Sequence, residues 1–447
     1  MSGTYIIFSI LLSPLLLLFL KHIKSTFLSK TPLLPPGPNP WPILGNIPQM
    51  GKKPHVTLTK FAQSYGPLLS LKLGSQLLIV GSSPAAAEEI LKTHDRILSA
   101  RYVPHVVPAK SPELNHLSMG WAFECNDKWK YLRTICRTEL FSGKAIESQA
   151  RLREEKVMEM VEFMRGMEGE VVKIGEVVFA TVFNMLSNVM MSRDFIGLGE
   201  ESLGGVMKSL VRRVMEVGSA PNLSDFYPIL GGLDLQGLKK RSAELMELFF
   251  AGTDTSTSTV EWAMAELIKN PKSMTKVRQE LVREINQSFP KESHLPQLPY
   301  LQACVKETLR LHPPAPFLLP HRALASCEVM NYTIPKDAQV IVNVWAIGKD
   351  PMIWEDPLQF KPERFLNSTL DYKGNDYNFL PFGAGRRICP GLPMAAKHVP
   401  LVLASLIHFF DWSLPDGIDP NELDMSEKFG VTLEMEQPLL LIPKVIK

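Results

Sequence analysis

The sequence predicts a mainly α-helical fold with a smaller β-sheet lobe, preceded by one N-terminal transmembrane helix. Three observations carry this reading. Helical stretches run from Pro84 to Thr93, Asp127 to Leu140, Lys144 to Arg165 and Leu235 to Asn270. Leu68 to Val80 alternates around Gly74-Ser75 as two short strands would, and Ala338 to Val344 returns to strand character. Gly3 to Leu20 carries no charge, is rich in Leu and Ile, and reaches about the minimum length of a bilayer-spanning helix.

Taken in order, the apolar run is followed by Lys21, Lys24 and Lys30 with no charged side chain before them, which places the body of the chain in the cytosol. The basic residues lie on the wrong side of the run for a cleaved secretory signal, so a retained anchor is expected. The sequons at Asn222, Asn286, Asn331 and Asn367 then stay unglycosylated. Pro32, Pro35, Pro36, Pro38, Pro40 and Pro42 form a stiff linker. The expected organisation is an anchor over 3–20, a basic and proline-rich linker over 21–53 and a globular domain over 54–447.

Composition sets the chemistry the domain can do. A 447-residue chain with 45% hydrophobic content can bury one large core or two modest ones, and a net charge of +2 argues against a nucleic-acid partner. The cysteines are odd in number and unclustered, as reduced thiols facing the cytosol are, and Cys125, Cys136, Cys304 and Cys327 read as core or incidental residues.

Cys389 is different. It lies in Phe382-Gly383-Ala384-Gly385-Arg386-Arg387-Ile388-Cys389-Pro390-Gly391. A cysteine sulfur ligates iron as the thiolate, which backbone donors, positive charge or a helix N-terminus favour. Gly385 and Gly391 permit backbone geometries that turn amides toward the sulfur. The stretch Pro393 to His408 reads as a helix whose positive end lies behind Cys389. Phe382 can shield the sulfur, and Arg387 can reach an anionic heme propionate. The competing reading is a glycine-rich turn around a buried free cysteine.

These residues resemble the heme-binding loop, Phe-x-x-Gly-x-Arg-x-Cys-x-Gly, of the cytochrome P450 monooxygenases. Further segments resemble the family in the same order. Glu307 and Arg310 match its Glu-x-x-Arg pair, and Arg364, in Lys361-Pro362-Glu363-Arg364-Phe365, matches the arginine that joins the pair in a buried network. Trp129 and Arg133, four residues apart, resemble a pair used on a heme propionate. His321, and more weakly Arg322, resemble another propionate contact. Ala251-Gly252-Thr253-Asp254-Thr255-Ser256 resembles the oxygen-activation segment, with Gly252 leaving room for dioxygen and Asp254 and Thr255 relaying protons. The alternative for such hydroxyls is hydrogen bonding to the preceding helical turn.

The resemblance implies heme b (iron protoporphyrin IX) ligated by Cys389, electrons from NADPH through NADPH-cytochrome P450 reductase, O2 as co-substrate, and single-pass attachment to the endoplasmic reticulum membrane. Family position puts Phe249, Ala251, Phe317, Leu318 and Val431 around a lipophilic small-molecule substrate. The wording of Asp234-Leu235-Gln236-Gly237-Leu238, Ala251 to Met264 and Val340 to Asp350 looks most like the plant group that includes geraniol 8-hydroxylase and other terpenoid hydroxylases, implying a monoterpenoid substrate, with phenolic or alkaloid substrates next. One departure stands out: only Ser242 to Phe250 separate Arg241 from Ala251 where related plant microsomal enzymes have a helix, a loop and another helix. An internal deletion of several tens of residues is expected there. The alternative function is a truncated, catalytically silent family member that binds ligands or the reductase.

Overall fold

Proline and glycine delimit the first long helix among the described residues, α1 (Pro54–Tyr65), which begins on its proline and ends at Gly66, φ +104°. The computed structural model describes residues 33–105, 107, 110–198, 223–227 and 247–446. The expected membrane segment Gly3 to Leu20 and the stretch 228–246 lie outside the described residues.

After α1 the alternating apolar run forms β1 (Leu68–Leu73) and β2 (Gln76–Gly81), paired antiparallel across Gly74-Ser75. Distant residues complete the sheet: β3 (Ala100–Arg101), β4 (His321–Arg322) and β5 (Gln339–Val342). Its order is β1-β2-β5-β4-β3, with β2 and β5 parallel and the other neighbours antiparallel. Leu68, Ile79, Val340 and Val342 fill one side of this lobe.

The stretch expected to be a linker over 21–53 is, from residue 33 on, part of the lobe. Prolines cannot donate to a strand edge but their carbonyls accept, and Ser70 N and Oγ donate to Pro36 O and Pro35 O at 2.9 and 2.6 Å. Asn46 exchanges hydrogen bonds with the backbone of Lys72 at 2.6 and 2.7 Å.

The helical body consists of α2 (Asp127–Ile135), α3 (Ala150–Gly166), α4 (Ile174–Met191), α5 (Glu247–Lys269), α6 (Pro271–Ile285), α7 (Pro299–Leu311) and α8 (Leu392–Phe409). α3, α4, α5 and α8 share one core through Val157 and Met160, Phe179 and Val182, Val260 and Trp262, and Leu401 and Leu403. α4 and α8 are long and apolar enough to cross a membrane, but 72% and 61% of their apolar windows are buried inside the protein, so they are core helices here.

The helix expected over Lys144 to Arg165 is interrupted at Gln149. Arg153 Nη2 donates to Ile146 O at 2.6 Å, taking a carbonyl that a continuous helix would give to residue 150. On α7, Glu307 and Arg310 meet as expected. The carboxylate receives Arg310 Nε and Nη2, both at 2.7 Å, Arg364 Nε at 3.2 Å and Lys361 N at 2.8 Å.

Candidate active site

A cavity of about 620 Å³ lies between α5 and the loop that leads into α8. Its volume is that of a small-molecule or cofactor site, and most of its wall is apolar. Cys389 stands on this wall with Phe382, Arg387 and the start of α8. Cys389 N donates to Phe382 O at 3.0 Å, closing the loop around the sulfur. Gly385 makes that closure possible. It sits at φ +65°, and a Cβ there would lie 2.1 Å from Leu91 O. Gly391, by contrast, has an ordinary backbone, φ −80°, so the special geometry expected of it is not needed; a Cβ there would touch Cys389 Sγ at 3.8 Å.

Burial pushes the Cys389 thiol up. It is opposed by the N–H of Gly391, the Arg133 guanidinium and the N–H of Leu392 at the start of α8. The protein alone therefore does not lower this thiol as the sequence suggested. A coordinating metal deprotonates a thiol outright.

Arginine and histidine side chains converge on the same cavity. Arg133 reaches Ile388 O at 2.7 Å; Arg387 donates to Ser99 O at 2.9 Å and Ala122 O at 2.7 Å; His321 Nδ1–H donates to Leu98 O at 2.6 Å. Burial holds His321 well below its usual range, with the charges of Arg101 and Arg387 adding to the effect. Trp129 lies under both arginines, its ring 5.6 Å from the Arg133 guanidinium and 4.9 Å from that of Arg387. Its indole N–H goes to Met119 O at 2.9 Å.

β-Sheet geometry explains one placement that the sequence got wrong. Side chains alternate along a strand, so with His321 turned to the cavity Arg322 faces away. Arg322 pairs with Asp337 at 2.8 Å and does not line the cavity. Arg101 was missed. It is the antiparallel partner of His321, hence on the same face, and it lines the cavity while donating to Gly120 O and Leu319 O at 3.0 and 2.7 Å. No local motif marks it; only the β3–β4 pairing finds it.

On the opposite wall, α5 presents Ala251, Gly252 and Thr255. The Thr255 hydroxyl donates to Ala251 O at 2.6 Å, the helix back-bond, and its oxygen remains available to accept at the wall. Gly252 packs close to α4: a Cβ there would lie 2.8 Å from Leu186 Cδ1, so a larger residue would make that leucine side chain shift. Asp254 is buried on the neighbouring face and is not part of the wall. Leu318 and Val431 line the cavity, whereas Phe317 is turned into a small cluster with Phe429, ring centroids 5.5 Å apart. The Phe249 side chain lies outside the described residues.

The donor set fits heme: one thiol facing an apolar chamber, with guanidinium groups and an imidazole at its rim for the carboxylates of a porphyrin. Fold and site together define a heme-thiolate protein. The family profile described as Cytochrome P450 matches residues 35–242 and 231–441, and the chain belongs to that family. It is a cytochrome P450 monooxygenase, of a family that uses heme and electrons from NADPH delivered by a reductase.

Three plant relatives stand close in sequence. A probable (S)-N-methylcoclaurine 3'-hydroxylase isozyme 2 of Coptis japonica is 51% identical over 457 positions, covering 92% of this chain and 93% of the relative. The (S)-N-methylcoclaurine 3'-hydroxylase isozyme 1 of Papaver somniferum is 49% identical over 459 positions, 92% and 95%. Corytuberine synthase of Coptis japonica is 44% identical over 484 positions, 97% and 98%.

Proposed function

We propose that this protein is a membrane-attached cytochrome P450 monooxygenase that hydroxylates a benzylisoquinoline-type alkaloid such as (S)-N-methylcoclaurine. The observation that carries the substrate class is the identity of 51% and 49% to relatives named for that reaction. The monoterpenoid expected from the resemblance to geraniol 8-hydroxylase finds no support in those names and is replaced. Apolar walls from Leu114, Leu186, Leu318 and Val431 suit a lipophilic aromatic guest. Membrane attachment is supported by the uncharged run Gly3 to Leu20 and by the exposed apolar side chains Leu33, Trp41, Ile43 and Leu44 that follow it.

Cys389 would ligate the iron, and Arg101, Arg133, His321 and Arg387 would hold the porphyrin carboxylates. When bound, heme supplies reductive activation of O2, one oxygen atom entering the substrate and the other leaving as water. The chain's own work is local. The Thr255 oxygen holds a proton-transfer position on the wall, with Asp254 on the adjoining face. The apolar side chains orient the substrate and exclude water.

We also infer that the segment between α4 and α5 is shortened relative to these enzymes. The family match divides at 231–242, and the Coptis alignment runs to 457 positions, more than the 447 residues of this chain, while covering 92% of it. A transcript read across Lys240 to Ala251 tests this; extra coding sequence there marks the chain as a spliced form.

The function is tested in membranes holding the full chain and a plant NADPH-cytochrome P450 reductase. The expected result is a thiolate-type carbon monoxide difference band and a product one oxygen atom heavier than (S)-N-methylcoclaurine. Cys389→Ala should abolish the band, and Thr255→Ala should keep it while separating NADPH use from product. A band with oxygenation of geraniol and not of the alkaloid overturns the substrate; no band at all favours the silent member.

A further inference from the structure

Away from the heme side of the cavity, Glu427 collects donors from parts of the chain that are far apart. It opens β6 (Glu427–Lys428), which pairs antiparallel with β7 (Glu434–Met435). Its carboxylate receives His55 Nε2–H from α1 at 2.9 Å and Trp345 Nε1–H at 3.1 Å. His312 Nδ1 lies 3.4 Å away at the end of α7, and Lys349 Nζ 3.9 Å away. His312 is itself fixed, by Glu266 at 2.8 Å and by the Trp262 ring stacked at 3.9 Å. Burial would raise the Glu427 carboxyl, but the bonds from His312 and His55 and the charge of Lys349 hold it well below the usual carboxylate range.

The hairpin that starts at Glu427 is part of the cavity. Between its strands, Val431 and Thr432 line the chamber. The far foot is tied to α5, because Ser258 Oγ and Trp262 Nε1 donate to Leu433 O at 2.7 and 3.3 Å. The near foot has Glu427, and beside it Phe429 stacks on His55 with centroids 5.5 Å apart and planes at 12°. Two-residue strands alone cannot hold such a hairpin, so the side-chain anchors set where the tip stands.

We propose that Glu427 is a positioning residue for the substrate wall: its carboxylate, bonded by His55, Trp345 and His312 with the Lys349 ammonium nearby, fixes the β6–β7 hairpin so that Val431 and Thr432 keep their places in the cavity. Glu427 does not touch the ligand. It acts through the hairpin, and it favours bulky guests that press on this wall over small ones that do not. The inference rests on the cavity being the substrate chamber proposed above.

The test compares imidazole, small enough to reach the iron without the wall, with 4-phenylimidazole, whose ring extends along it. Both are titrated spectrally into the full-length heme-loaded protein. Glu427→Gln removes the charge that gathers the donors. It should weaken 4-phenylimidazole about tenfold and leave imidazole within about twofold, with the carbon monoxide band intact. Glu427→Asp, which keeps the charge, should recover part of the loss. If Glu427→Gln does not accumulate folded, Trp345→Phe removes a single donor and should give a smaller shift in the same direction. Unchanged 4-phenylimidazole affinity in the folded variants, or equal losses for both probes, overturns the proposal. A wild-type protein that shows no thiolate-type band fails earlier and counts against the heme-thiolate site instead.

Discussion

Replacing Glu307 by Gln should cost the protein much of its stability. The carboxylate is fully buried, as is Arg310, which it receives in a bidentate pair at 2.7 Å twice. Arg310 passes the connection on, donating through Nη1 to Gly348 O and Pro357 O at 2.5 and 2.7 Å and through Nη2 to Gln359 O at 3.2 Å. Arg364 joins Glu307 and reaches Asp356 O at 2.8 Å. The amide keeps the shape but leaves the buried Arg310 guanidinium, and the half-buried one of Arg364, without their counter-charge. Breaking a buried pair in this way costs about 3–5 kcal/mol, a large part of the roughly 5–15 kcal/mol that a domain has. At about 2 °C per kcal/mol, the thermal midpoint should fall by roughly 6–10 °C. The assay is loss of the thiolate-type carbon monoxide band on heating, with Glu155→Gln as the comparison, since Glu155 pairs with Arg151 on an exposed face and should leave the midpoint unchanged. A Glu307→Gln midpoint within about 2 °C of wild type would refute the argument that this carboxylate holds the 348–364 segment in place.

Further outcomes follow from the same geometry. Burial, with a contribution from the charge of Arg153, lowers His398 to about 4, and its Nε2 meets Ser256 Oγ at 2.7 Å. The unfolded chain then binds a proton that the folded one refuses between about pH 6.5 and 4, so stability falls as pH drops through that window, by about 2–3 kcal/mol at its lower end. His398→Leu should flatten the acid limb of a midpoint-against-pH curve, and an unchanged limb would remove His398 from the account. Gly385→Ala forces a side chain into the left-handed region at a cost of about 1–3 kcal/mol and against Leu91 O; the band per amount of chain should fall severalfold. Arg101→Gln should lower the heme retained after gel filtration, whereas Arg322→Gln, on the outer strand face, should not.

The fold was legible where local chemistry decides it. The alternation of Leu68 to Val80 became β1 and β2 across Gly74-Ser75, and the stretch read as a helix from Pro393 to His408 became α8. It was less legible where distant groups intervene. Arg153 interrupts a helix from within the next one, and Pro35 and Pro36, which look like a spacer, lend their carbonyls to the edge of β1. Neither effect can be seen without knowing which segments meet.

The site divides in the same way, and for an energetic reason. Cys389 and Arg387 stand out through the chemistry of their own loop, and Trp129, Arg133 and His321 were found only through the resemblance to the family; all five reach the cavity. Arg101 escapes notice because its position follows from pairing with His321 and from nothing in its own neighbourhood. The substrate wall is built from Leu, Val, Ala and Met side chains drawn from many segments. Exchanging one apolar group for another there shifts discrimination by only about 1–3 kcal/mol, so many sequences suit many guests, and a likeness in wording can point to terpenoids while relatives about half identical are named for hydroxylating (S)-N-methylcoclaurine. Specificity then depends on where the wall stands as much as on what it is made of. That gives weight to groups such as Glu427, which touch no ligand and settle the position of those that do.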